Sequence, residues 1–140
     1  MPKKSVERKK LGSAEQRNLD VEIGFIEGLV RRAPDDVEAL QVLGDDYTRR
    51  GLFAEGLRVD EQLVRLRPDD ALVHYNLACS FALTEQFDRA VAALEQALDL
   101  GYRDFKWLAE DPDMNSLRQH PLYKKIRAKV RALKSGGRES

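Results

Sequence analysis

His74 and Cys79 are residue types that hydrolases and transferases pair as base and nucleophile, and here they lie five positions apart. On a helix that spacing turns two side chains to different faces, and no third residue stands ready to orient the histidine. Cys79 therefore reads as a small core or groove residue and His74 as a bulky core residue, while His120, before Pro121, reads as the cap of a turn. Two histidines and one cysteine, scattered, make no zinc ligand set. The acidic pairs Asp35-Asp36, Asp45-Asp46 and Asp69-Asp70 lack the alternating oxygen ligands and central glycine of a calcium loop. Two of those pairs fall at expected helix starts, where the helix dipole favours negative charge. With no glycine-rich phosphate loop either, the chain reads as no enzyme, with no cofactor and no metal site.

Clustered cations offer a second kind of chemistry. Lys3, Lys4, Arg8, Lys9 and Lys10 stand against Glu7 alone, and the last helical stretch carries Lys124, Lys125, Arg127, Lys129, Arg131 and Lys134. Such clusters can release counterions from RNA or anionic lipid, in a sequence-indifferent and salt-sensitive way, but no interleaved aromatics offer a stacking platform for bases. A solvated face with disordered tails explains them without any function and is the preferred reading. Over the whole chain 24 basic residues balance 24 acidic ones, so bulk electrostatics favours neither nucleic acid nor an acidic surface, and nucleic acid is not the expected partner.

Composition fits a small soluble helical protein of one domain: 140 residues can bury a real core. A single cysteine excludes an internal disulfide framework and suits a reducing compartment. No apolar run could span a bilayer, and the lysine-rich start lacks the apolar segment of a secretion signal, so the expected location is cytoplasmic.

The organising signal is a repeat of 34 residues. Sliding residues 37–70 onto 71–104 pairs Leu43 with Leu77, Gly44 with Ala78, Tyr47 with Phe81, Phe53 with Phe87, Leu57 with Val91, Val64 with Leu98 and Leu66 with Leu100. One further shift sets Pro34 under Pro68. In the first copy Leu40, Leu43, Gly44 and Tyr47 recur three and four residues apart on one helical face, and Gly51 ends that helix. A second helix is expected from about Phe53 to Leu66, with Leu57, Leu63 and Val64 as its stripe. One such hairpin cannot bury its own stripe, which is why these sequences come as stacked arrays.

At these residues the chain resembles the tetratricopeptide repeat (TPR) family. Copy one carries Leu40, Leu43-Gly44, Tyr47, Gly51, Phe53, Gly56 and Pro68, and copy two carries His74, Leu77-Ala78, Phe81, Phe87, Ala90 and Ala97. Asp60 departs from the pattern where the family has an aromatic, Glu85 replaces the mid-hairpin glycine and Tyr102 replaces the second proline. These departures predict looser packing in copy one and an altered exit from copy two.

Around the repeats, Ser13 with Gln16 reads as a capping box opening a helix to Arg32, with Leu19, Ile23, Ile26 and Val30 on one face. Downstream, Trp107, Asp111-Pro112-Asp113, Leu117-Arg118 and His120-Pro121 resemble the closing element that follows the last repeat in many bacterial TPR proteins. In that reading Trp107, Leu108, Leu117, Leu122 and Ile126 cover the end of copy two, and a last helix runs from about Pro121 to Leu133. The expected fold is all-α: antiparallel helical hairpins stacked as a short right-handed TPR superhelix with N- and C-terminal capping helices. Residues 1–12 are expected as a disordered basic tail and 13–134 as one domain, divided into a capping helix or half-repeat (13–33), two repeats (37–70 and 71–104) and the closing element (105–134), with a disordered tail at 135–140.

The resemblance implies a function: a noncatalytic adaptor or scaffold that binds a peptide or partner helix in a concave groove lined by the first helix of each hairpin. Carried over by position, the groove comprises Glu38, Gln41, Asp45, Thr48 and Arg49 from copy one, and Leu72, Tyr75, Asn76, Cys79, Ala82 and Leu83 from copy two, with Lys106 from the closing element. Tyr75 is the expected anchor, since aromatic residues dominate contact energetics. The carboxylate clamp of chaperone-binding TPR domains is not reproduced, because Gln41, Asp45 and Glu110 stand at three of its five places and only Asn76 and Lys106 match. Two alternatives are an electrostatic adaptor using the basic ends on RNA or anionic membrane, and a self-associating scaffold in which an exposed repeat face forms an oligomer.

Overall fold

The computed structural model describes residues 10–139, and contacts divide these into two compact units, residues 10–69 and residues 70–139. The division falls at the junction between the two sequence repeats. Each unit is helical, and among the described residues there is no strand and no helix long and apolar enough to cross a membrane.

The first unit contains α1 (Ser13–Arg32), α2 (Val37–Arg50) and α3 (Phe53–Leu66). Asp36 starts α2 by accepting a hydrogen bond from the Ala39 amide at 3.1 Å, the use expected of an acid at a helix N-terminus. Gly51 ends it at φ 88°, a conformation that costs glycine nothing. The spacing of the α2–α3 hairpin follows from two glycines: a Cβ added at Gly44 would lie 3.3 Å from Val59 Cγ1, and one at Gly56 would lie 3.1 Å from Thr48 Oγ1. Thr48 in turn donates to the Gly44 carbonyl at 3.0 Å. Against α2 lies α1, burying Leu19 and Ile23 and half-burying Ile26 and Val30, the face expected from the sequence. Arg50 Nε and Asp20 Oδ1 join the two helices at 2.8 Å, and the Tyr47 hydroxyl donates to Glu27. Ser13 is not the cap of α1. Gly12 holds that position, its amide donating to Glu15 Oε1 at 3.4 Å, while Gln16 reaches back to the Leu11 carbonyl at 3.3 Å.

The second unit begins with α4 (Ala71–Leu83) and α5 (Phe87–Asp99), which start 34 residues after α2 and α3 respectively. Asp70 repeats the role of Asp36, accepting from the amides of Leu72 and Val73. Glu85 occupies the position of Gly51 and adopts the same left-handed backbone, φ 60°, so the turn geometry is kept although the residue is not glycine. After Gly101, at φ 112°, the chain leaves α5 into α6 (Phe105–Glu110), a 3-10 turn (Pro112–Met114), α7 (Asn115–Arg118), a second 3-10 turn (Pro121–Tyr123) and α8 (Lys124–Glu139). Both 3-10 turns open on proline, whose missing N–H costs nothing at a first helical position. His120 caps the second turn, its Nδ1 accepting from the Leu122 amide at 3.1 Å. Leu94, Leu98, Met114, Leu117 and Ile126 are fully buried and form the unit's centre.

Three expectations change here. Trp107 is 44% exposed rather than part of the cover over copy two, while Met114 and Tyr123 are buried. The last helix begins at Lys124, after the 3-10 turn, and continues through Glu139, so residues 135–139 are helical rather than a tail. The basic stretch at residues 1–9 lies outside the described residues, and residues 10–12 are non-helical.

Candidate functional site

The expected anchor of the groove is an interior residue. Tyr75 is 2% exposed, its hydroxyl donates to Asp111 Oδ2 at 2.6 Å, and its ring meets that of Tyr102 edge-on with centroids 4.3 Å apart. Cys79, also buried, directs its sulfur at the same carboxylate oxygen at 3.6 Å, and Ala82 is buried too. Burial first, and then the neighbouring Cys79 and the Asp111 carboxylate, push the Tyr75 phenol well above its usual range, so it serves as a neutral donor.

Asp111 organises this part of the molecule. Its Oδ1 accepts from the Asp113 amide at 2.9 Å and its carbonyl from Arg118 Nη2 at 2.7 Å, while Arg118 Nη1 reaches the Leu108 carbonyl at 2.7 Å. The closing element is thereby tied to α4 through a hydrogen bond spanning 36 residues. Within α4, Tyr75 and Cys79 lie on the flank turned to this element, whereas Leu72, Asn76 and Leu83, one stripe further round, keep solvent access. Leu72 is 57% exposed, Asn76 is exposed and Leu83 half-buried; Lys106, on α6, is exposed as well.

In the first unit the expected residues stay on the surface. Glu38, Gln41, Asp45 and Arg49 are all exposed and follow one another three and four residues apart along α2, which makes a single stripe. Thr48 is an exception, since its hydroxyl is committed to the hairpin.

Beside that stripe lies Asp46, in sequence merely half of an acidic pair. It is buried, with Arg49 Nη1 4.0 Å from its Oδ1. Its Oδ2 has no donor. Burial, then the hydrogen bond and charge of Glu22 on α1, raise the Asp46 carboxyl to about 7, with Arg49 opposing. Two carboxyl groups hydrogen-bond only when one holds a proton, so the neighbouring Glu22 favours the protonated form of Asp46. Asp45, next along and exposed overall, is also raised by partial desolvation of its carboxyl, again against Arg49.

Two capped hairpins starting 34 residues apart, each with a left-handed turn between its helices, the first closely crossed at Gly44 and Gly56 and the second burying Ala78 and Ala90 at the same repeat positions, define an all-α fold of the tetratricopeptide repeat type. The chain is 21% identical to the protein in the crystal structure of MamA, with a TM-score of 0.64 over 91% of this chain and 78% of that one. It is also 33% identical over 79 residues to a chloroplastic protein of Arabidopsis thaliana, a match covering 54% of this chain and 24% of that protein. The chain thus spans about a quarter of that relative's length. No protein-family model matches it.

Proposed function

We propose that this chain is a noncatalytic protein-interaction module that binds a peptide or partner helix along the exposed face of α2. The observation that carries the reading is the stripe of Glu38, Gln41, Asp45 and Arg49: four polar side chains, all facing solvent. Glu38 and Gln41 make no hydrogen bond or ion pair among the described residues. The tetratricopeptide-type fold supports the reading, since such hairpin arrays present their first helices to partner chains. In the second unit, Leu72 and Leu83 take over the apolar role first expected of Tyr75, with Asn76 and Lys106 as exposed polar neighbours.

The test is affinity capture at moderate salt after nuclease treatment, comparing wild type with a variant carrying Glu38→Ala, Gln41→Ala, Asp45→Ala and Arg49→Ala. All four side chains are exposed, so circular dichroism should show the same helix content, and a triple variant that keeps Arg49, the ion-pair partner of buried Asp46, separates lost binding from altered packing. Loss of specific partners with this variant supports the α2 face; an identical partner set discards it.

A further inference from the structure

Between α6 and α8 the second unit contains a pocket of about 360 Å³. Its floor is apolar, formed by Phe105, Leu108 and Ala109 of α6 with Tyr123 and Val130. Along its edge run Arg127, Arg131 and Lys134, at i, i+4 and i+7 on α8, which spaces three cations over about 10 Å. Arg118 also lines the pocket, but its guanidinium is spent on the Leu108 and Asp111 carbonyls and on Asn115. The other three are less committed. Arg127 lies 4.8 Å above the Tyr123 ring and donates to the Arg118 carbonyl at 3.0 Å, and Lys134 Nζ stands 5.6 Å from the centre of the Phe105 ring. No acidic residue lines the pocket, and among the described residues Arg127, Arg131 and Lys134 have no carboxylate partner. Lys129, by contrast, pairs with Asp99 at 2.6 Å. In a chain of zero net charge this is a local excess of cations over an apolar floor.

We propose that this pocket binds an acidic polypeptide segment in which carboxylates alternate with apolar side chains. Charge complementarity requires an anionic occupant, and the floor requires one that also brings apolar groups. The distribution of the cations chooses between the anionic candidates. An acyl chain carries its charge at one end and wants an uninterrupted apolar channel, whereas here Arg127 stands over the Tyr123 ring and Lys134 beside the Phe105 ring. Single-stranded RNA wants open aromatic faces, yet the Tyr123 and Phe105 rings are already covered by Arg127 and Lys134. An extended peptide repeats its side chains about every 7 Å on one face, so two carboxylates fit the cation row of about 10 Å, and the apolar side chains between them, on the opposite face of the peptide, turn to the floor. The inference uses none of the α2 residues and stands apart from the reading of that face.

The test is fluorescence anisotropy of a labelled eight-residue peptide alternating Glu and Leu, titrated with the full chain. The expected result is saturable binding, weakened at least tenfold by Arg131→Glu with Lys134→Glu and at least fivefold when Ser replaces Leu in the peptide. Both substituted residues are exposed, and circular dichroism checks that the variant is folded. Binding should be unchanged in the α2 quadruple variant, which separates this site from the α2 face. Absence of saturable binding, equal binding by the variant, or equal binding of the Glu-Ser peptide would overturn the proposal. So would preference for phosphatidylserine vesicles over the peptide, which would make the site a lipid contact.

Discussion

The Tyr75 hydroxyl and the Asp111 carboxylate, 2.6 Å apart and both buried, fasten the closing element to the first helix of the second repeat. A phenol and a carboxylate placed this way form a charge-assisted bond, stronger than one between neutral partners. It follows that removing either side should be felt as lost stability rather than lost binding.

Asp111→Ala leaves the Tyr75 hydroxyl buried without its acceptor and should cost on the order of 2 kcal/mol. Tyr75→Phe keeps the ring contact with Tyr102 and should cost about 1 kcal/mol. Urea unfolding of both single variants and the double variant gives the coupling between them. A double-mutant cycle with no coupling would mean that the bond contributes nothing.

Asp46 predicts an unusual slope of stability with pH. Its carboxyl titrates near 3.8 when unfolded and near 7 when folded, so its contribution is fully present below pH 4. Between pH 4 and 7 the unfolded chain gives up a proton that the folded chain retains, and stability falls as pH rises. Asp46→Asn removes the titration and offers Glu22 a permanent N–H donor. Relative to wild type it should therefore gain stability from pH 5 to pH 8, by on the order of 1 kcal/mol, in parallel urea titrations. A constant difference across that range would rule out the raised carboxyl.

Gly51 and Glu85 occupy equivalent turns with positive φ and should respond in opposite directions. Gly51→Ala forces a Cβ into the left-handed region and should destabilise by about 1 kcal/mol. Glu85→Gly relieves that strain at some cost in unfolded-state entropy, for a net gain of up to about 0.5 kcal/mol. Thermal unfolding midpoints distinguish the two signs.

Asp36 and Asp70 open the two repeats as side-chain caps. Alanine at either position should cost about 1 kcal/mol, and the serine variant should recover most of it. Equal stability of the alanine and serine variants would assign the loss to something other than capping.

Local chemistry made much of this legible in the sequence. The 34-residue offset of α2 to α4 and of α3 to α5, the aspartate caps and the His120 turn all follow from patterns contained within a few neighbouring residues or repeated along the chain. What was not legible depends on partners far away in sequence. Tyr75 occupies a groove position by repeat register, and only the approach of Asp111, 36 residues on, turns it into a core residue. Asp46 is one of a polar pair in sequence, and its burial depends on the packing of α1, whose Glu22 completes the carboxyl pair. Ser13 lost the cap of α1 to Gly12 because Glu15, two residues after it, reaches the Gly12 amide. The cation row of α8 read simply as a basic stretch until α6 placed an apolar floor beside it.

Trp107 is the sole tryptophan of the chain, and it sits half in water on the short helix that supplies Phe105 and Leu108 to the cation-edged pocket. The molecule therefore carries its own optical reporter. Indole emission will report on the second unit, so that undocking of α6, or a ligand arriving beside it, can be watched by fluorescence without attaching a dye.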